Sequence, residues 1–281
     1  MQAVVVPAVS SAWQVKDVPQ PQPGPNQVLV KMHASGICYT DVHQTLGHLP
    51  GPFPRILGHE PVGEIVAVAS GVTTRKVGDR VGTAWIQSTC GRCEWCQRGR
   101  RMFCPYLKGT GIEAQGGHAE YMLMNADATY LIPDKITYEQ AAPIFCAGYT
   151  VYSGLRWADP QPHERVAVLG IGGLGHLAVQ YAKAAGFETI AVSHSPDKDK
   201  MIRDVGADEV RPRRKEPCGS WRCRCNPQYL KFDQVDGGQH TGIATGRPAR
   251  HDGRRCGAAF GFPDGSHLEA HSNNWQPAKR P

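Results

Sequence analysis

Along residues 1–150 the apolar positions fall in short β-type runs, QVLVKMHASGI, GEIVAVA, GDRVGTA and HAEYMLM, separated by turn signals such as Pro23-Gly24-Pro25 and Gly78-Asp79. Such runs bounded by turn signals predict strands, and together they predict a partly open β-barrel carrying loops. From about Thr150 the pattern changes. ERVAVLGIGGLGHLAVQYAKAAGFETIAVSHSPDKDKMIRDVGADEV reads as an apolar strand, a glycine turn, an amphipathic helix ending at Gly186, a second strand TIAVS and a second helix ending at Gly206. Two βα units in series predict a parallel sheet of the doubly wound kind. After Val210 the pattern stops: residues 211–281 hold only four Val, Ile or Leu, namely Leu230, Val235, Ile243 and Leu268. Parallel strands are buried on both faces and need those types, so the sheet is expected to stay incomplete and the tail to be largely irregular. The expected division is 1–150, 151–210 and 211–281.

A chain of 281 residues has room for two domains, and 41% hydrophobic with 20% charged residues is a globular composition. The net charge of +6 would suggest a nucleic-acid partner were it spread evenly. It is not: residues 1–210 carry 18 Lys and Arg against 19 Asp and Glu, while residues 211–281 carry 13 against 6. The basicity belongs to the tail, so no nucleic-acid partner is expected. The first thirty residues contain no basic segment leading into an apolar run, and no stretch approaches the length that spans a bilayer. A cytoplasmic protein without a membrane partner is the expectation. In that reducing compartment, closely spaced cysteines more often hold a metal than form disulfides.

Cys90, Cys93, Cys96 and Cys104 form a C-x2-C-x2-C-x7-C run. Four thiolates close a tetrahedron and leave no position for a substrate, which favours structural zinc. An iron–sulfur cluster is the competitor, since Pro105 follows Cys104, but the long last gap and the lack of a second such run weigh against it. Cys38, His59 and Cys146 are dispersed and weak singly; together they supply two sulfurs and a nitrogen, a set that leaves a fourth position open. GIGGLG places Gly170, Gly172 and Gly175 as G-x-G-x-x-G between a strand and a helix, the dinucleotide fingerprint with pyrophosphate at the helix N-terminus. Where an NAD site would carry Asp or Glu at the end of the second strand, this chain has Ser193 and His194, with Lys198 close by. Small polar groups beside a cation suit a 2′-phosphate, which favours NADP over NAD.

GICYTDVH, LGHE, VGDRV, CGRCEWC, CAGYT and GIGGLGHLAVQYAKAAG, in this order, resemble the zinc-dependent alcohol dehydrogenases of the medium-chain dehydrogenase/reductase family over residues 1 to about 210, on the NADP-preferring, cinnamyl-alcohol-dehydrogenase-like side. The resemblance implies an α/β protein with a β-rich part: a GroES-like catalytic domain and an incomplete Rossmann domain. It implies a catalytic zinc on Cys38, His59 and Cys146, the Cys2His set that alcohol dehydrogenases use, and a structural zinc on Cys90, Cys93, Cys96 and Cys104. It further implies a proton relay through Thr40 and His43, carboxylates of Asp41 and Glu60 near the zinc with Asp41 bonded to the His59 ring, and cofactor contacts at Thr150, Gly173 and Leu174. Trp85 is a candidate pocket wall. The substrate would be a primary alcohol or aldehyde and the assembly a homodimer or homotetramer. The tail departs from the family. A reading-frame shift near Val210 would leave such a break, and the alternative function is that of a shortened relative that binds zinc without turning over.

Overall fold

The computed structural model describes residues 1–49 and 51–212, with the backbone of two short strands at 242–243 and 259–262. It falls into two units, Met1–Cys146 and Ala147–Pro281.

In the first unit the short β-type runs become antiparallel strands. β1 (Gln2–Val6), β2 (Gln14–Asp17), β3 (Gln27–Ser35), a helix α1 (Tyr39–Thr45), β4 (Arg55–Ile56), β5 (Pro61–Val68), β6 (Arg80–Thr83), β7 (Ile86–Ser88), a one-turn helix α2 (Glu94–Gln97), β8 (Lys108–Gly109), β9 (Tyr121–Asn125), β10 (Thr129–Leu131) and a short helix α3 (Tyr138–Ala141) follow in order. Five strands make a sheet ordered β10-β6-β5-β3-β9, three make β2-β1-β4, and β7 pairs with β8 alone. The five-stranded sheet is the curled, barrel-like layer that the turn-punctuated runs predict. Its inward positions, Val28, Val30, Ile65, Val81, Met122 and Met124, form one buried cluster. Full burial of a side chain of this size is worth roughly 1.5–3 kcal/mol, so a register slip that turned this face outward would cost most of the layer's stability. The sheet bends where β3 and β5 change register. Gly63 permits that approach, since a Cβ there would stand 2.1 Å from the Lys31 carbonyl oxygen.

The second unit holds α4 (Ala147–Ala158), β11 (Arg165–Leu169), α5 (Gly175–Ala184), β12 (Glu188–Ser193), α6 (Asp199–Asp204), β13 (Glu209–Pro212), β14 (Gly242–Ile243) and β15 (Ala259–Phe262). β11, β12 and β13 run parallel in register, the doubly wound start that the two βα units predict. Val166, Val168, Val179, Ala182, Ala191 and Ile202 pack between the strands and helices of this unit. Gly186 ends α5 at φ +88° and Gly206 follows α6 at φ +107°, left-handed positions that glycine occupies without the penalty a Cβ would bring. β15 pairs parallel to β11, and β14 antiparallel to β15, so the sheet order is β13-β12-β11-β15-β14. The expected irregularity of 211–281 lies, apart from Arg211, Pro212 and the backbone of these two strands, outside the described residues. No helix among the described residues is long and apolar enough to cross a membrane.

Candidate functional site

Cys38 opens α1 as its N-cap, in extended geometry at φ −112° and ψ 158°. Asp41 closes the cap: its Oδ2 accepts the Cys38 amide at 2.8 Å, while Oδ1 accepts the Gly58 amide at 3.2 Å. One buried carboxylate thus ties the strand-to-helix turn carrying Cys38 to the segment carrying His59. The third residue, Cys146, arrives from the far end of the unit, its Sγ 3.8 Å from that of Cys38. Cys38 Sγ, His59, Glu60 and Cys146 offer four ligand atoms within 4.8 Å of one another. Thr40 Oγ1 lies 3.5 Å from Cys38 Sγ, and the edge of Trp85 faces the His59 ring at 6.0 Å between centroids.

Asp41 Oδ1 stands 3.5 Å from His59 Nδ1, an ion-pair approach longer than the expected hydrogen bond, because two backbone amides already hold the carboxylate. His118 completes the surroundings, with Nε2 3.9 Å from the same oxygen. Nothing in the sequence singles His118 out, since it meets Asp41 only when the segment after Gly117 packs against Leu57 and Gly58. The Gly117 and His118 amides donate to those two carbonyls at 2.8 and 3.0 Å.

The electrostatics are those of a cation site. The Cys38 thiol is held down at about 4 by its contact with Cys146, against the effect of burial and with help from His59. Cys146 is pushed far up in turn by the Cys38 anion. Burial raises Glu60 to about 7, and the Cys38 anion adds to that. Burial would lower His59, but the Asp41 and Cys38 anions outweigh it and lift the imidazole to about 10. Burial would raise Asp41, yet the His118 and His59 rings hold it well below the usual carboxylate range. His59 is only 1% exposed, and neither ring nitrogen makes a hydrogen bond. Buried anions and an orphaned imidazole are costly as they stand. A tetrahedral ion with bonds of about 2.3 Å to sulfur sets sulfurs about 3.8 Å apart, which matches the Cys38–Cys146 separation of 3.8 Å. The residues fit zinc.

A second set hangs from the β7–β8 ribbon. Cys90, Cys93, Cys96 and Cys104 bring four sulfurs within 4.8 Å of one another. Cys93 and Cys96 are 3.5 Å apart and Cys90 and Cys104 3.6 Å, far beyond a disulfide bond, and all are free thiols. The Arg92 and Cys93 amides hold the Cys90 thiol down at about 6. Amide donors directed at sulfur favour the thiolate that a metal requires, so this set also fits zinc.

In the second unit the glycine turn has the shape the fingerprint needs. Gly170 sits at φ +82°, and a Cβ at Gly170 or Gly173 would meet nothing within 4 Å, so the backbone there is open to a ligand. A Cβ on Gly175 would instead stand 2.0 Å from the Gly170 carbonyl oxygen, so only glycine lets α5 start this close to the strand. Leu174 caps α5, and the His176 amide donates to the Gly172 carbonyl at 3.1 Å. Ser193 ends β12, its Oγ accepting the Ser195 amide at 3.2 Å, with His194 between them. Lys198 reaches across to the glycine turn, donating from Nζ to the Ile171 carbonyl at 3.4 Å. Thr150 lies in the first turn of α4, half-buried.

Comparison with known proteins agrees with both halves. The alcohol dehydrogenase GroES-like domain matches residues 24–134 and the zinc-binding dehydrogenase domain residues 173–225. An alcohol dehydrogenase of Geobacillus stearothermophilus is 43% identical over 246 residues, 87% of this chain and 70% of that protein. One from a Moraxella species is 44% identical over 209 residues, 74% of this chain and 62% of its own. Among solved structures, cinnamyl alcohol dehydrogenase from Sorghum bicolor superposes with a TM-score of 0.69 at 32% identity, covering 75% of this chain and 63% of that one. A zinc-binding dehydrogenase of Sinorhizobium meliloti bound to NADP gives 0.68 at 33%, over 74% and 60%. The chain therefore spans between 60% and 70% of the length of these relatives.

Proposed function

The chain belongs to the zinc-dependent alcohol dehydrogenases of the medium-chain dehydrogenase/reductase family, and from that premise we propose that it transfers hydride between a primary alcohol or aldehyde and a nicotinamide cofactor, with NADP preferred over NAD. The observation that carries the reading is the buried set of Cys38, His59 and Cys146 with its orphaned imidazole nitrogens. These three residues would hold a catalytic zinc, and Cys90, Cys93, Cys96 and Cys104 a structural one.

Zinc supplies Lewis acidity, which eases loss of an alcohol proton and polarises a carbonyl, and the nicotinamide accepts or donates the hydride. The chain's own residues do the rest. Asp41 fixes the position of His59 through the 3.5 Å approach and the amides it accepts. The Thr40 hydroxyl and the His43 ring pass the alcohol proton outward to water. Glu60, buried among the metal ligands, places a carboxylate beside the ion they would hold. Gly170, Gly172, Gly173, Leu174 and Gly175 cradle the pyrophosphate, with Thr150 as a further contact. Ser193, His194 and Lys198 accept the 2′-phosphate, the lysine as a point charge. The six described cysteines, all free thiols, support a cytoplasmic location. A homodimer or homotetramer is the assembly proposed with the family.

The test is NADPH oxidation by the purified chain with aromatic and aliphatic aldehydes, with zinc counted per chain. Turnover with two zinc ions supports the reading, one for each donor set. Two ions without turnover would favour the alternative, a relative that binds zinc without turning over.

A further inference from the structure

Contacts from three separate stretches of the chain converge on Asp41. Trp13, just before β2, donates from its indole Nε1 to Thr45 Oγ1 at 2.8 Å, and that hydroxyl donates to the Asp41 carbonyl at 2.8 Å. The same indole packs against the His118 ring, 5.8 Å between centroids and tilted by 36°. His118 in turn brings Nε2 to 3.9 Å from Asp41 Oδ1.

The His118 ring has little freedom. Its amide donates to the Leu57 carbonyl at 3.0 Å, and its carbonyl accepts the Val4 amide at 2.8 Å. A Cβ on Gly58 would stand 2.6 Å from His118 Nδ1 and 2.9 Å from Cε1, so the ring lies directly on the residue that precedes the ligand His59. His118 Nε2 is buried and makes no hydrogen bond among the described residues. A polar nitrogen in that state is costly, and the carboxylate it faces is Asp41. Asp41 Oδ1 therefore stands between two imidazoles, 3.5 Å from His59 Nδ1 and 3.9 Å from His118 Nε2, while the Gly58 amide holds it at 3.2 Å. Without the fixed ring on its far side, the carboxylate would be free to follow a turning His59.

We propose that His118 is a positioning residue for the catalytic metal: it is no ligand, and through Asp41 and Gly58 it fixes the direction in which His59 presents its nitrogen. This rests on the reading of Cys38, His59 and Cys146 as a zinc site. The role differs from packing in what can replace it. Phenylalanine would fill the space beside Trp13 and Gly58 yet offer Asp41 nothing. Glutamine, whose terminal amide donates about where Nε2 does, would still hold it.

The probe is Co²⁺ exchanged into the zinc-loaded full chain, followed by competition with a chelator; visible absorption separates a two-sulfur, one-nitrogen site from a four-sulfur one. In His118→Phe the spectrum of the Cys38, His59 and Cys146 site should change and its cobalt affinity fall by roughly 10–100-fold, as loss of a group that orients a ligand commonly costs. The four-cysteine spectrum and the unfolding temperature should stay as in the wild type. His118→Asn, too short to reach Asp41, should show the same loss, and His118→Gln should recover most of it. Wild-type affinity and spectrum in folded His118→Phe or His118→Asn, or a loss in His118→Gln equal to theirs, would overturn the role of His118 and leave the zinc reading standing. Cobalt uptake by the four cysteines alone in the wild-type chain would overturn the zinc reading and this role with it.

Discussion

Gly36 lacks a side chain, and Glu60 uses the space: a Cβ there would stand 1.8 Å from Glu60 Oε2. Because that oxygen ends a flexible chain, Gly36→Ala should displace the carboxylate at little cost to the fold. The expected outcome is an unchanged unfolding temperature, two zinc ions retained, and kcat/KM lowered by roughly 10–100-fold, read by steady-state kinetics beside a zinc count. Lys198, which reaches the glycine turn, is proposed above for the cofactor. Removing its charge in Lys198→Ala should raise KM for NADPH by about tenfold or more, with kcat and KM for NADH nearly constant, because a hydrogen bond to a charged group is worth about 1.5–3 kcal/mol. At this scale the sequence was legible where chemistry is tied to spacing, as in the cysteine run, or to a local turn, as in GIGGLG. Neither His118 nor the 3.1 Å approach of His43 Nδ1 to His48 Nδ1 was legible. A histidine carries no mark of its partner, and these meet theirs through a backbone approach and a loop return.

Elements were read correctly where periodicity and terminal signals coincide. α5 and α6 end at the glycines the sequence offers as stops, and β11, β12 and β13 lie in parallel register as two βα units require. The double structural role of Asp41 at the start of α1 was hidden from the sequence: it caps the helix and anchors Gly58. That double duty depends on a contact distant in sequence, which no local pattern encodes. The short β4, β8 and β10 lie below the length at which alternation is detectable. Ile202 on α6 is fully buried in the second unit's core. Ile202→Ala should therefore cost about 2–5 kcal/mol. Urea denaturation followed by far-ultraviolet circular dichroism would measure it, and a loss below about 1 kcal/mol would mean that the α6 contact forms little of the core.

For the molecule as a whole, the proposed zinc ions would make stability a function of metal supply, because the donor sets, four cysteines in one and Cys38, His59, Glu60 and Cys146 in the other, would add binding energy that is also folding energy. The segment from Cys90 to Cys104 is closed at its base by β7 and β8, strands of three and two residues, and by the Thr110 amide and hydroxyl, which donate to the Trp85 and Ala84 carbonyls. Its middle, with Arg98, Arg100 and Arg101, is exposed. Chelation should open this segment before the larger sheets unfold. Trypsin should then cut within residues 98–101 at a rate that rises as zinc falls and returns to baseline when zinc is restored, as gel electrophoresis with mass spectrometry would record. Cleavage indifferent to zinc would mean that the sulfur cluster does not hold the loop. The consequence reaches past the test tube: a cell short of zinc would mark its own unloaded copies for proteolysis at these arginines, and the surviving pool would register how much metal had been on hand over each chain's lifetime.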